Sequence, residues 1–182
     1  MWISQTYLGS PDPNSKVFLY YFWEDYAGQK GIPPQVLEGL SDLGYDFRDQ
    51  VSAYAPMESY LGMIREEMRD KFDQFWRTFA GKTPGIFLCR KSLRDFNPQT
   101  DEWLFFEISD EILRDKKAAV AFFAKIHDTC REIINHPYEE NAAGKKNGLL
   151  ETLYDSAQLK VTFMGAGIDF KPMLDRFARR RR

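Results

Sequence analysis

The segment DEWLFFEISDEI, Asp101 to Ile112, sets Trp103 four residues before Glu107 inside an apolar run. A carboxylate in such company is either the solvent edge of an ordinary strand or the single acid of a small nucleotide-cleaving site. Periodicity does not separate the two, because a short apolar run suits a buried helix and a buried strand equally. In a helix, Thr100 or Asp101 would cap the start. Trp103 and Glu107 would then share one face, one turn apart. In a strand, EWLFFEIS is half of a hairpin and Glu107 faces water.

Other chemistry-bearing patterns are weaker. TFMGAGIDF holds only Gly165-x-Gly167, without the third glycine of a dinucleotide fingerprint, and reads as a tight turn. NAAGKKNG lacks the glycine and Ser/Thr positions of a phosphate loop, and no G-x-S-x-G nucleophile motif occurs. His127, Cys130 and His136 have no fourth ligand at a sensible spacing, so no metal site is expected. With two cysteines and no CxxC pair, reduced thiols are the simplest account.

The elements that would position Glu107 read as alternating strands and helices. KVFLYYF, 16–22, is apolar on both faces and suits a central strand. PQVLEGLSDLG reads as a helix stopped at Gly44, and YDFRD as a short second strand, with QVSAYAPM as loop. ESYLGMIREEMRDKFDQFWRTFAG has the clearest helical spacing. GIFLC is a buried strand. KKAAVAFFAK is ambiguous between helix and strand. HDTCREIINH, LLETLYDSA and FKPMLDRFARRRR read as helices, and LKVTFM as a strand. This alternation predicts an α/β three-layer sandwich with a mainly parallel central sheet. Ligands would collect beyond the carboxyl ends of the strands, at Phe22–Asp25, Asp49–Tyr54 and Cys89–Asp95.

The 182 residues, 43% hydrophobic, can bury one core. The expected organisation is a tail over 1–15, one domain over 16–178 and a basic tail, Arg179 to Arg182. A net charge of -2 gives no general pull on nucleic acid or anionic membrane. No signal peptide or membrane-spanning run is legible, so a cytoplasmic location is expected.

Two resemblances follow from these residues. FWEDYAGQK resembles the first strand and active-site turn of thioredoxins, and KTPGIFL their proline-led third strand. Ala27 and Lys30 stand where the two cysteines would be, so that likeness implies a module without redox chemistry. The other covers about residues 16 to 177 and resembles a TIR domain. It runs from VFLYYF and its following ED, through LSDLGYDFRD and QVSAYAPMESYLGMIREEM, to GIFLC and then Trp103 with Glu107. Asp101 and Glu102 stand where that family has a serine before the tryptophan.

The TIR resemblance implies a flavodoxin-like sheet and cleavage of the nicotinamide–ribose bond of NAD, by hydrolysis or cyclisation, in signalling or immune defence. NAD is then substrate, and no cofactor is needed. Nicotinamide leaves neutral, so one carboxylate, Glu107, would suffice to steady the oxocarbenium-like ribosyl centre. Trp103, Phe22 and Trp23 would stack on the rings, while Asp25 and Arg48 order ribose or phosphate. Self-association or a protein partner would be expected, through the loop at Ser52 to Tyr60. Two alternatives stand beside it: a related nucleoside deoxyribosyltransferase-like enzyme, and a non-catalytic module with a cysteine-less thioredoxin-like fold. A helix at 101–112 with Glu107 in a cleft favours the enzymes. A hairpin strand packed on 85–90, with a cis peptide before Pro84, favours the module.

Overall fold

The computed structural model describes residues 2–4, 12–23, 32–56, 66–67, 69, 79, 81–98, 100–135 and 161–163. Among the described residues six strands form one mixed sheet in the order β1-β3-β2-β4-β5-β6. They are β1 (Trp2–Ser4), β2 (Val17–Phe22), β3 (Val51–Pro56), β4 (Gly85–Cys89), β5 (Trp103–Glu107) and β6 (Val161–Phe163). Among the described residues three helices follow the same chain order: α1 (Pro34–Phe47), α2 (Asp110–Arg114) and α3 (Lys116–Asn135).

Among the four central strands, β2 and β3 run parallel, whereas β4 is antiparallel to both β2 and β5. The outer strand β1 is parallel to β3, and β6 is antiparallel to β5. The sheet is therefore mixed, where strand–helix alternation predicts a mainly parallel one. For the β4–β5 pair the physical reason is the short connection. Thirteen residues, 90–102, return the chain alongside β4 without a crossover helix, and that forces an antiparallel pair.

The segment 103–107 is a strand because its residues satisfy two buried faces at once. Leu104 and Phe106 point to one face, Trp103 and Phe105 to the other, and all four are at most 2% exposed. Its register with β4, Gly85 opposite Glu107 and Cys89 opposite Trp103, gives the backbone a complete ladder. The Thr83–Pro84 bond at the entrance to β4 is cis.

Three further expectations are corrected around α1. The helix does not stop at Gly44 but runs to Phe47, because Leu43 and Phe47, four apart, both pack on the core. Arg48 supplies the left-handed stop instead, with φ 52° and its N–H donating to the Gly44 carbonyl. YDFRD thus ends a helix and enters a 3-10 turn, and the second strand is VSAYAP, read as loop from sequence. Small Ser and Ala residues hide that strand from propensity rules, yet every one of its residues is buried. AVAFF lies inside α3 and supplies no strand. The helical spacing of ESYLGMIREEMRDKFDQFWRTFAG falls largely, and that of LLETLYDSA and FKPMLDRFARRRR wholly, outside the described residues.

The two faces of the sheet carry separate cores. On one, Val17, Leu19, Tyr21, Ile86, Leu88 and Phe106 pack against α1 and α3. On the other, Phe18, Tyr20, Phe22, Tyr54, Phe87 and Phe105 form an aromatic layer, joined by Phe79, Leu93 and Phe96. Among the described residues, no helix is long and apolar enough to cross a membrane.

Candidate functional site

Glu107 ends β5, half-buried, in a row with Gly85 of β4 and Phe22 of β2. Since β2 and β5 run the same way, their carboxyl ends meet at one end of the sheet. The next residue, Ile108, donates its N–H to the Pro84 carbonyl at 2.9 Å, which ties Glu107 to the proline turn. Trp23, just past β2, is 7% exposed, and its indole Nε1 has no hydrogen-bond partner among the described residues. Helix α1 begins nearby in chain order, with Val36 and Leu37 donating to the Pro33 carbonyl at 2.9 and 3.0 Å.

Of the residues expected to form a site, this end holds Glu107, Phe22 and Trp23, but only Glu107 and Phe22 share a sheet face; Trp23 packs in the core on the opposite, helix-covered face. Phe22 is fully buried, stacked on Phe87 at 5.2 Å and edge-on to Phe79 at 5.3 Å, so its ring faces are spent on the core. Trp103 lies at the other end of β5, 1% exposed, against Phe79 and Phe87. It shares a sheet face with Glu107 but sits four strand residues away, roughly 13 Å. A helix would have brought them within one turn. Arg48 is exposed and precedes β3, whose first residue pairs with the first residue of β2, so it lies at the end of the sheet opposite Glu107. Asp25 lies outside the described residues. Cys89–Asp95 likewise follows an antiparallel strand and leaves the sheet at the end away from Glu107.

The thiols are not poised for reaction. Cys89 and Cys130 are both free and buried, and burial pushes each above its usual value. A thiolate is the reactive form, and neither site favours it. Cys89 Sγ donates to the Lys91 carbonyl at 2.9 Å. Burial likewise raises the Tyr20 and Tyr21 hydroxyls. Tyr20 Oη accepts the Leu93 N–H at 3.0 Å, and its ring stacks on Tyr54 at 4.8 Å. Asp101 caps no helix. It pairs with Lys91 at 2.7 Å and accepts the Asn97 N–H at 2.8 Å, bracing the β4–β5 connection.

Sequence reasoning passed over a second feature, a groove of about 340 Å³ between α1 and α3. Its floor includes buried Gly39, Leu43, Ala119 and Phe123, with Val120 exposed beside them. Its rim carries Glu38, Asp42, Asp46 and Asp128, with Lys116 and His127 beside them. The legible signal was the four-residue spacing of Glu38, Asp42 and Asp46, which puts one carboxylate per turn along one line of a helix. Among the described residues, no cluster of three His, Cys, Asp or Glu side chains is arranged to hold a metal. His127 instead packs on Phe47 with ring centroids 4.7 Å apart and faces Asp46 at 3.4 Å.

Comparison of the chain with protein-family models, with curated proteins and with solved structures returns no match.

Proposed function

We propose that this chain is a non-catalytic, partner-binding module whose arrangement is thioredoxin-like without the redox pair. The observation that carries the reading is β5. Residues 103–107 form a strand antiparallel to β4, in a sheet where β1, β3 and β2 run parallel and β4 and β5 follow antiparallel. That is the hairpin alternative for the opening segment. Ala27 and Lys30 replace the cysteines of the resemblance, and the two cysteines present are buried, so dithiol exchange has no nucleophile.

A second reading retains NAD or a related nucleotide as substrate, cleaved with Glu107 in the TIR-like or deoxyribosyltransferase-like manner. What favours it is that Glu107 is half-buried and shares one end and one face of the sheet with Phe22. A lone carboxylate there could steady a ribosyl cation.

NAD consumption by the purified protein at high concentration, wild type against Glu107→Ala with both folded, separates the two. No turnover by either protein is expected. Turnover abolished in Glu107→Ala would overturn the module reading and assign the N-glycosidic reaction to that carboxylate. Turnover that survives the substitution would also overturn it, with the site elsewhere in the chain.

A further inference from the structure

We propose that the groove between α1 and α3 binds a cationic amphipathic helix of a partner protein. The groove lies on the helix-covered side of the molecule, so the inference does not depend on what Glu107 does.

Three observations converge. The floor is apolar, and Val120 in the lining is 60% exposed, a large aliphatic side chain left in water. The helices can form this floor because Gly39 lacks a side chain. A Cβ there would lie 2.3 Å from the Phe123 ring, so glycine lets α1 approach α3 closely. The rim carries four carboxylates against one lysine and a histidine. Lys116 reaches Glu38 at 3.6 Å and His127 reaches Asp46 at 3.4 Å, while Asp128 has Arg131 at 3.6 Å. Asp42 has no ion-pair partner among the described residues.

The spacing selects the occupant. Glu38, Asp42 and Asp46 advance four residues at a time, about 6 Å per step along the helix axis. A compact cation would meet one or two of them. A partner helix with Lys or Arg at every fourth position advances by the same step and can set its apolar stripe on Val120 and Phe123. Charge complementarity at such a rim sets orientation and partner choice, and it weakens as salt is raised.

The test is fluorescence anisotropy with the full chain and two labelled synthetic helical peptides. Both carry the same leucine stripe, one flanked by Lys and Arg at four-residue spacing, the other by Glu. The basic peptide is expected to bind and the acidic one not. Binding should weaken about tenfold or more in the charge-reversed double variant Asp42→Lys/Asp46→Lys, and also in Val120→Glu. Both variants alter exposed positions, and an unchanged far-UV spectrum verifies the fold. Absent binding, equal binding of both peptides, or binding unmoved by the variants overturns the proposal. So does a wild-type dimer in sedimentation that Asp42→Lys/Asp46→Lys converts to monomer, which makes a second copy the occupant. Binding seen only after Arg179 to Arg182 are replaced by alanine also overturns it, because the chain's own tail then fills the groove.

Discussion

The two faces of the sheet solve the same burial problem with different side chains. The α1/α3 face is largely aliphatic, with Leu19, Ile86, Leu88 and Leu104 meeting Leu40, Leu43 and Ile126. The opposite face is nearly all rings: Phe22 on Phe87, Phe79 against Phe105 at 4.6 Å, Tyr20 on Tyr54. Aliphatic layers tolerate small shifts, since dispersion is non-directional. Ring layers prefer fixed stacked or edge-on geometries, which couple each ring to its neighbours. The aromatic face is thus the more rigid register for β2, β4 and β5, and the helical face carries the adjustable groove.

The largest test of this contrast is truncation. Phe105→Ala and Phe122→Ala should each cost about 3–5 kcal/mol in urea unfolding. The faces separate in double-mutant cycles. Phe105 with Phe79 should show about 0.5–1.5 kcal/mol of coupling. Leu88 with Leu104, cross-strand neighbours on the helical face, should couple less, by under about 0.5 kcal/mol. Equal coupling on both faces would erase the distinction.

Next in size is Tyr20→Phe. It strips the Leu93 N–H of its acceptor inside the aromatic layer, at a cost of about 1–3 kcal/mol. The same hydroxyl sets an alkaline limit. Burial raises Tyr20 and Tyr21 above the ordinary 10.0, so the folded state holds both protons more tightly than the unfolded chain. Their contribution is fully present below pH 10.0 and is lost progressively as pH rises above it. Unfolding midpoints measured from pH 8 to 11 should fall above about pH 10, and less steeply in Tyr20→Phe. A flat profile would show that the hydroxyls are not buried as described.

How much of this was legible depended on whether a residue's neighbours in sequence are also its neighbours in space. VFLYYF and GIFLC announce themselves as buried strands because every position is apolar, and they are β2 and β4. VSAYAP was hidden because its small residues gain strand character only from packing on both faces. WLFFE was undecidable: alternation is invisible when both faces are apolar, and only the ladder to Gly85–Cys89 fixes the strand. That ladder spaced Trp103 from Glu107 and left Glu107, Phe22 and Trp23 as the members of the expected site at one end. Chain direction misled in the same way at Cys89–Asp95, since a carboxyl end counts only after β4 is known to run backwards.

On the helical face, Gly39→Ala tests how closely α1 and α3 are pressed together. Alanine would gain up to about 1 kcal/mol of helix propensity at an exposed site. Here its Cβ meets the Phe123 ring at 2.3 Å, so the ring or the helix must shift. Overpacking of this kind costs about 1–3 kcal/mol, and the net should be a loss of about 1 kcal/mol by urea titration. A gain would mean that α3 yields freely and the groove is soft.

The smallest effect has the opposite sign. Glu38, Asp42 and Asp46 repel one another along α1, each like-charged neighbour costing about 0.2–0.5 kcal/mol. Asp42 sits in the middle with no ion-pair partner among the described residues, so Asp42→Asn relieves two repulsions at once. The variant should gain a few tenths of a kcal/mol in low salt, roughly 0.4–1 at most, and the gain should shrink as screening rises. A carboxylate row that lowers the stability of its own helix fits the cationic partner helix proposed above. Stability that falls instead would mean that Asp42 is held by a cation at rest, and the acidic rim would then be part of the scaffold.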